Sequence, residues 1–225
     1  MPSKNKINRI IRLGLIAITI GLFGFFNSAC NAKTKKQKID KASKNADNNQ
    51  IINTYKLKNG DLVFRKGKSL ESQAILMADK TGNYSHVGIV YIIDNEPYVI
   101  HITPDSLEQT TDYAKCEKLN LFFDSKNASK GCVLRIDKKY AQTAQNAADS
   151  AFALYKSKVI FDKEYNLETD TEMYCTELVL KSYKRNDIQL IRIEDNARAI
   201  PFFNNRIIFP SAFFKCSYLN KMYYF

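Results

Sequence analysis

Hydrophobic and polar positions divide this chain into three stretches of different character. Residues 13–26 form a 14-residue apolar run that follows a basic start. Residues 31–50 are polar and rich in lysine, so they cannot bury a hydrophobic core. From residue 51 onward, apolar residues recur with the spacing of strands and helices. The pattern predicts a signal segment at 1–30, a disordered tether at 31–50 and one folded domain at 51–225.

Within the domain, strand and helix patterns both occur. A turn at Asn59-Gly60 precedes a short apolar strand, Asp61 to Arg65. The next segment reads as a helix with Ser69 as its N-cap and Gly82 as its stop. The Ala-rich segment 140–158 has the composition of a closely packed helix. These elements predict an α+β fold.

The stretch "NYSHVGIVYIIDNEPYVIHI" contains both histidines of the chain and has the pattern of a β-hairpin. Asp94-Asn95 has the residue types of a two-residue turn, and such a turn fixes the register of the two strands. Gly88 then lies opposite His101, and His86 is a diagonal neighbour of His101 on the same face. Diagonal neighbours are roughly 7–8 Å apart at Cα, so the two imidazoles are predicted to touch or to share a bridging water.

The net charge of the chain is concentrated at its start. Of the total of +11, the first 50 residues contribute +8 and the remaining 175 only +3. The domain is therefore nearly balanced, and no basic face or recognition motif indicates a nucleic-acid partner. Two histidines and scattered cysteines do not have the spacing of a metal site, so neither a metal nor a cofactor is expected.

The N-terminal residues resemble a bacterial lipoprotein signal. The basic segment "MPSKNKINRIIR" and the apolar run are followed by "NSAC", which ends at Cys30. The resemblance implies lipid attachment at Cys30, although Asn27 stands where such signals usually carry an aliphatic residue. An ordinary cleaved signal and an uncleaved anchor are the alternatives. Each of the three exports the domain, so we expect the bacterial cell envelope as its location.

The segment "LETDTEMYCTELVLKSYKRN" reads as a loop followed by a helix. Asp170 or Thr171 is the predicted N-cap, which places Cys175 in the first turn. A helix N-terminus favours a thiolate, so the thiol pKa is expected to be lowered, and the free N–H groups there can bind an oxyanion. Glu177 is expected to pair with Lys181 one turn later. Taken alone, a cysteine in this position is more often a small buried hydrophobic residue.

Three motifs together carry a family resemblance. "NGDLVFRKG", "YSHVGIVYI" and "YCTELVLKSY" resemble the YiiX-like, circularly permuted branch of the NlpC-type papain-like cysteine hydrolases. In the unpermuted branch the cysteine helix comes first, whereas here it follows the two strand motifs. The resemblance covers roughly residues 55–220. It implies an α+β papain-like fold with an antiparallel sheet packed against helices, and an amidase or peptidase activity.

The resemblance also assigns roles to single residues. Cys175 would be the nucleophile and His86 its base. His101 would be the third polar group, at a position where many permuted relatives resemble "YVIEA" and carry a glutamate. Asp61 and Tyr174 would border the substrate. For Asp61 a hydrogen-bonding role in the turn is the favoured alternative, and for Tyr174 it is packing.

The implied substrate is an amide in a cell-wall peptide or a small amino-acid conjugate, and the implied membrane contact is the lipid anchor. Two other functions remain open at this point. One is a lipid-directed acyltransferase or lipase acting on an acyl substrate. The other is a non-enzymatic envelope lipoprotein that uses the fold as a scaffold. An exported chain can also form disulfides, but the sequence does not show whether Cys116, Cys132 and Cys216 pair.

Overall fold

The computed structural model describes residues 57–104, 112–200 and 204–224. The signal segment with its predicted lipid site at Cys30, the tether and the first residues of the predicted domain lie outside the described residues. Among the described residues, no helix has both the length and the apolar character needed to cross a bilayer.

An antiparallel sheet of six strands forms the centre of the domain. Its strands lie in the order β10-β5-β1-β2-β3-β4, and two further pairs of short strands, β6 with β7 and β8 with β9, lie outside it. The strands are β1 (Leu62–Gly67), β2 (His86–Ile93), β3 (Glu96–His101), β4 (Lys115–Lys118), β5 (Ala128–Ile136), β6 (Ile160–Phe161), β7 (Glu172–Met173), β8 (Ala197–Ala199), β9 (Arg206–Ile208) and β10 (Leu219–Tyr224).

Helices occupy the connections between these strands. They are α1 (Leu70–Ala78), α2 (Leu119–Phe122), α3 (Ala141–Lys156), α4 (Cys175–Lys184) and α5 (Ile193–Asn196), and two 3₁₀ segments span Lys138–Tyr140 and Pro210–Lys215. The predicted Ala-rich helix is α3, and its small buried side chains allow close approach. At Gly60, where φ is +84°, a Cβ would lie 2.4 Å from the carbonyl oxygen of Ala144. The α+β class predicted from sequence is confirmed.

The sheet carries an apolar core on each face. One face, which includes Leu62, Val87 and Ile89, packs against α3 and α4. The other face includes Val90 and packs against α2 and the residue after it. Successive strand residues point to opposite faces. His86 is four residues before Val90 on β2, so it lies on the same face, the one that packs against α2. The body of the cysteine helix α4 packs against the opposite face, and its first residue lines the same cavity as the imidazoles at the end of the strands.

The register of the β2–β3 hairpin confirms the sequence prediction. Ile89 pairs with Ile100, and Asp94 and Asn95 have φ values of +50° and +64°, as a two-residue turn of this hand requires. The same register brings Gly88 opposite His101. A Cβ on Gly88 would lie 3.1 Å from the Cβ of His101, so the glycine leaves the space in which that imidazole is placed.

Two predicted helix ends differ from the structure. Ser69 is the N-cap of α1 as expected, but α1 ends at Ala78 and its C-cap is Asp79, before the predicted stop at Gly82. The cysteine helix begins at Cys175 with Tyr174 as N-cap, so the predicted capping by Asp170 or Thr171 is wrong. The reason is tertiary, because Asp170 pairs with Lys181 and the next residues form strand β7.

Candidate active site

A cavity of about 460 Å³ lies at one end of the central strands. The end of β1, the start of β2, the end of β3 and the start of β4 form one wall. The start of α4 and the residues around β9 form the other. The cavity brings the three predicted catalytic residues together, since its lining includes Cys175, His86 and His101.

The two imidazoles are in direct contact. Nε2 of His86 lies 2.8 Å from Nδ1 of His101, and both side chains are buried. Nε2 of His101 lies in turn 2.8 Å from Oε1 of Glu117 on β4. Phe122 of α2 covers both rings, with centroid distances of 5.7 Å and 5.2 Å. The histidines therefore form the inner part of a row that ends in a carboxylate.

This row assigns a role to each ring nitrogen. A carboxylate accepts hydrogen bonds, so Nε2 of His101 carries the proton and its Nδ1 is an acceptor. Nε2 of His86 then donates to that Nδ1, which leaves Nδ1 of His86 with a free lone pair. The atom of His86 that contacts His101 is Nε2 and not Nδ1.

Both imidazoles are neutral at pH 7. Burial lowers the pKa of His86 well below its usual value, and the charges of Arg65, His101 and Lys115 act in the same direction. Burial also lowers the pKa of His101, against the opposing hydrogen bond and charge of Glu117. A neutral His86 with an unprotonated Nδ1 is the form that a general base requires.

Glu117 and Arg65 belong to the site but were not singled out by the sequence analysis. Arg65 on β1 lies 3.6 Å from Oε1 of Glu117 and donates to the carbonyl of Phe122 at 2.9 Å. Its guanidinium lies 4.5 Å from the centre of the Phe122 ring. Burial raises the pKa of Glu117, but the hydrogen bond and charge of His101 with the charges of Arg65 and Lys115 outweigh it, so the net shift is downward.

Cys175 is the first residue of α4 and is partly open to the cavity. Backbone N–H groups of Val87, Thr176 and Cys175 itself favour its thiolate, as does the charge of Arg65. Burial is the larger effect and raises the thiol pKa to about 11. The expectation that the helix N-terminus gives a lowered pKa is therefore wrong for this resting state. Within the described residues, no hydrogen bond joins the sulfur to His86.

Comparison with known proteins places this geometry in a family. Residues 56–222 match the permuted papain-like amidase enzymes of the YaeF/YiiX type, the C92 family. The chain belongs to this family. Its members are papain-like cysteine amidases, so the family resemblance and the enzyme class inferred from sequence are confirmed. A search of curated proteins gave no significant match.

One solved structure supports the C92 fold. It is described as the crystal structure of metalloprotein yiiX from Escherichia coli O157:H7, and it matches with a TM-score of 0.59 at 20% identity, covering 75% of this chain and 98% of that one. In the part of this chain that the structure describes, no group of three or more His, Cys, Asp or Glu side chains is arranged to hold a metal. Both nitrogens of His101 are already engaged by protein atoms. These residues do not fit a metal centre.

Asp61 and Tyr174, the predicted substrate contacts, have structural partners in this C92 domain. Both oxygens of Asp61 accept from Arg135 at 2.7 Å, and the N–H of Lys58 donates to it at 2.8 Å. Asp61 is not among the residues that line this cavity, and its contacts agree with the hydrogen-bonding alternative. Tyr174 does line the cavity, but it is 2% exposed and its hydroxyl accepts from the N–H of Ile208 at 3.1 Å.

The pairing of Glu177 with Lys181 follows the sequence prediction. Nζ of Lys181 lies 3.0 Å from Oε1 of Glu177, and the N–H of Tyr174 donates to Oε2 at 3.3 Å. Burial raises the pKa of Glu177 to about 7, against the lowering effects of Lys181 and that N–H. Glu177 thus stabilises the start of the cysteine helix and points away from the reacting atoms.

Cys116, Cys132, Cys175 and Cys216 are all free thiols.

Proposed function

We propose that this C92 amidase is an envelope hydrolase that cleaves a small amide substrate through Cys175, His86 and His101. The observation that carries the proposal is the 2.8 Å contact between Nε2 of His86 and Nδ1 of His101, which leaves Nδ1 of His86 to accept the thiol proton. That nitrogen is the one nearer the His86 backbone, and the thiol contacts the N–H of the next residue, Val87. Catalytic hydrogen bonds are often long without substrate and shorten in the complex. We therefore expect the thiol of Cys175 and Nδ1 of His86 to come within hydrogen-bond distance when substrate binds.

The chemistry follows from a neutral resting pair. His86 Nδ1 takes the thiol proton as the sulfur attacks the substrate carbonyl, which forms a carbon–sulfur bond and an oxyanion. The N–H groups at the start of α4 are available to that oxyanion. Collapse expels the amine, which receives the proton from His86. Water, deprotonated by the same nitrogen, then hydrolyses the thioester and restores the thiol.

The cavity lining supports a substrate that carries carboxylates. Its charged residues are the basic Arg65, Lys68, Lys115 and Lys126 and the acidic Glu71 and Glu117. The excess of positive charge favours an anionic ligand in a partly enclosed cleft. Cell-wall peptides and small amino-acid conjugates combine an amide with carboxylates, and for this reason they are the preferred substrate class.

A lipid-directed acyl hydrolase or acyltransferase is the second candidate, and one observation favours it. Leu70 and Met77 lie seven residues apart on one side of α1 and are 85% and 80% exposed. The inner side of the same helix lines the cavity through Ser72 and Ile75. An exposed apolar strip beside a reaction cleft is typical of enzymes that meet an apolar surface.

The envelope location rests on the signal-like residues 1–30, in which lipid would be attached at Cys30. Mass spectrometry of the membrane-extracted protein should show a mature chain that begins at lipid-modified Cys30. An intact Met1 would contradict lipid attachment at Cys30 and leave the hydrolase proposal to be tested separately.

The enzymatic proposal is tested with p-nitrophenyl acetate as a general acyl donor. Wild type should release a burst of p-nitrophenol and carry an acetyl group on Cys175 by mass spectrometry, whereas Cys175→Ala should show neither. Cys132→Ala, which removes a buried thiol on the sheet, is the matched control and should retain the burst. Preference for cell-wall peptides over fatty acyl esters would select the amidase, and the reverse would select the lipid enzyme. An unmodified Cys175 would favour the non-enzymatic scaffold.

A further inference from the structure

We propose that Glu117 is a positioning residue whose carboxylate, one strand further along the sheet, orients His101 and through it His86. The inference rests on the proposed function of His86 as base. It makes the site a row of four groups, in which His101 transmits the orientation imposed by Glu117. Glu117 contacts neither the thiol nor the substrate carbonyl in this scheme.

The strand register explains how the row forms. His101 pairs with Lys115 and Val99 pairs with Glu117 across β3 and β4. Glu117 is therefore the diagonal neighbour of His101 on the face that carries the imidazoles, at the spacing that long side chains can bridge. His86 on β2 has the same diagonal relation to His101 from the other side. The imidazole of His101 on β3 therefore connects β2 and β4, which do not pair with each other.

The contacts give the row a single direction. Oε1 of Glu117 can only accept, which fixes the proton of His101 on Nε2 and directs its Nδ1 lone pair to Nε2 of His86. Without that carboxylate, the opposite tautomer of His101 would point a proton at His86. His86 would then turn its own proton to Nδ1, the nitrogen that must accept the thiol proton.

Charges around the row come from two strands, β1 and β4. Arg65 on β1 lies 3.6 Å from Glu117, and Lys115 is on β4 with Glu117. Both cations disfavour a charged imidazole and act on His86 as well as on His101. Glu117 is the acidic group of the row and opposes them, so it stabilises the imidazolium that forms when His86 takes the thiol proton.

The direction of the row can be read by NMR, because the chain contains only two histidines. With ¹⁵N-labelled histidine in the full chain at pH 7, both rings should be neutral and protonated on Nε2. A His101 ring protonated on Nδ1 would overturn the inference, whatever the kinetics show. This measurement uses wild type and does not depend on the folding of any variant.

Kinetics of p-nitrophenyl acetate hydrolysis test the function of the row. Glu117→Gln keeps an acceptor oxygen but loses the charge, and it should lower kcat about 10- to 100-fold, the effect of one charge-assisted hydrogen bond. KM should change little, since Glu117 is not placed on the acyl group. Glu96→Gln removes an exposed carboxylate at the start of β3 and is the matched control.

A swap of the two positions gives the sharpest result. His101→Glu alone places two carboxylates side by side in a buried site, which raises the pKa of one of them and should impair turnover. In His101→Glu/Glu117→Gln, the new carboxylate accepts directly from His86 and the amide donates to it. The double variant should exceed Glu117→Gln at least tenfold in kcat. Equal activity of His101→Glu and the double variant would show that residues 101 and 117 are not coupled.

Failure of this inference is distinct from failure of the proposed function. Full activity of Glu117→Gln beside an inactive Cys175→Ala would remove the role of Glu117 and keep the cysteine mechanism. Turnover that persists in Cys175→Ala would remove both.

Discussion

Replacing Gly88 by alanine should move the two imidazoles apart without substituting either histidine. Gly88 lies opposite His101, and its backbone is not in the left-handed region, so space and not conformation excludes a side chain. The added Cβ would lie 2.4 Å from Cγ1 of Val99, 3.0 Å from the carbonyl oxygen of Ile100 and 3.1 Å from Cβ of His101. The first distance is more than about 1 Å inside ordinary carbon contact.

The neighbours cannot yield easily, because Val99 and Ile100 are fully buried and two of the three contacts involve backbone or Cβ atoms of β3. We expect β3 to shift away from β2. Overpacking of this kind costs about 1–3 kcal/mol, which corresponds to a fall in Tm of about 2–12 °C for a domain of this size. A displacement near 1 Å at the 2.8 Å contact between the imidazoles should lower kcat by on the order of 100-fold.

The assay combines thermal melting with p-nitrophenyl acetate hydrolysis at 25 °C, where the variant remains folded. Val99→Ala in the Gly88→Ala background removes the closest contact, so the double variant should be more stable than the sum of the single changes by about 1 kcal/mol or more. Gly88→Ala with the Tm and kcat of wild type would refute the tight β2–β3 spacing on which the histidine contact depends.

Two further predictions concern charge. With a thiol pKa of about 11, the rate at which iodoacetamide alkylates Cys175 should rise about tenfold per pH unit between pH 7 and 10, as measured by mass spectrometry. A rate that reaches a plateau below pH 8 would instead indicate a preformed thiolate–imidazolium pair. Glu177, with a pKa of about 7, gains its proton in the native state before the unfolded state does, so the contribution of this carboxyl to stability becomes more favourable as the pH falls from 8 to 5. Glu177→Gln should therefore gain up to about 3 kcal/mol relative to wild type as the pH rises from 5 to 8, measured by urea unfolding, and a pH-independent difference would contradict the buried charge.

The histidine pair could be predicted from the sequence because a two-residue turn connects its strands. Asp94 and Asn95 fix the register, and the register fixes which residues share a face. Glu117 could not be found in the same way. The connection between β3 and β4 runs from residue 102 to 114 and is too long to fix a register as a two-residue turn does, so the sequence does not set the pairing of Val99 with Glu117.

The predictions of the thiol pKa and of the helix N-cap were wrong for a related reason. The burial that raises the pKa of Cys175 depends on neighbours such as Tyr165 and the residues of β9, which the local sequence does not place beside it. Likewise, Asp170 has the residue type of an N-cap, but its carboxylate pairs with Lys181. Local preferences predicted the helix itself, and contacts distant in sequence decided its first residue and the electrostatics there.

The second imidazole changes where the negative charge of the site is placed. A carboxylate at position 101 would lie in a place where the present side chain is 1% exposed, and burying a charge there costs several kcal/mol unless it is fully paired. The carboxylate of Glu117 is 25% exposed and has Arg65 nearby, so its charge is shared with solvent and a cation. The neutral ring of His101 passes on the hydrogen bond but only part of the charge. The arrangement therefore reduces the desolvation cost at the base and, in exchange, stabilises the imidazolium of His86 less strongly than a direct carboxylate would.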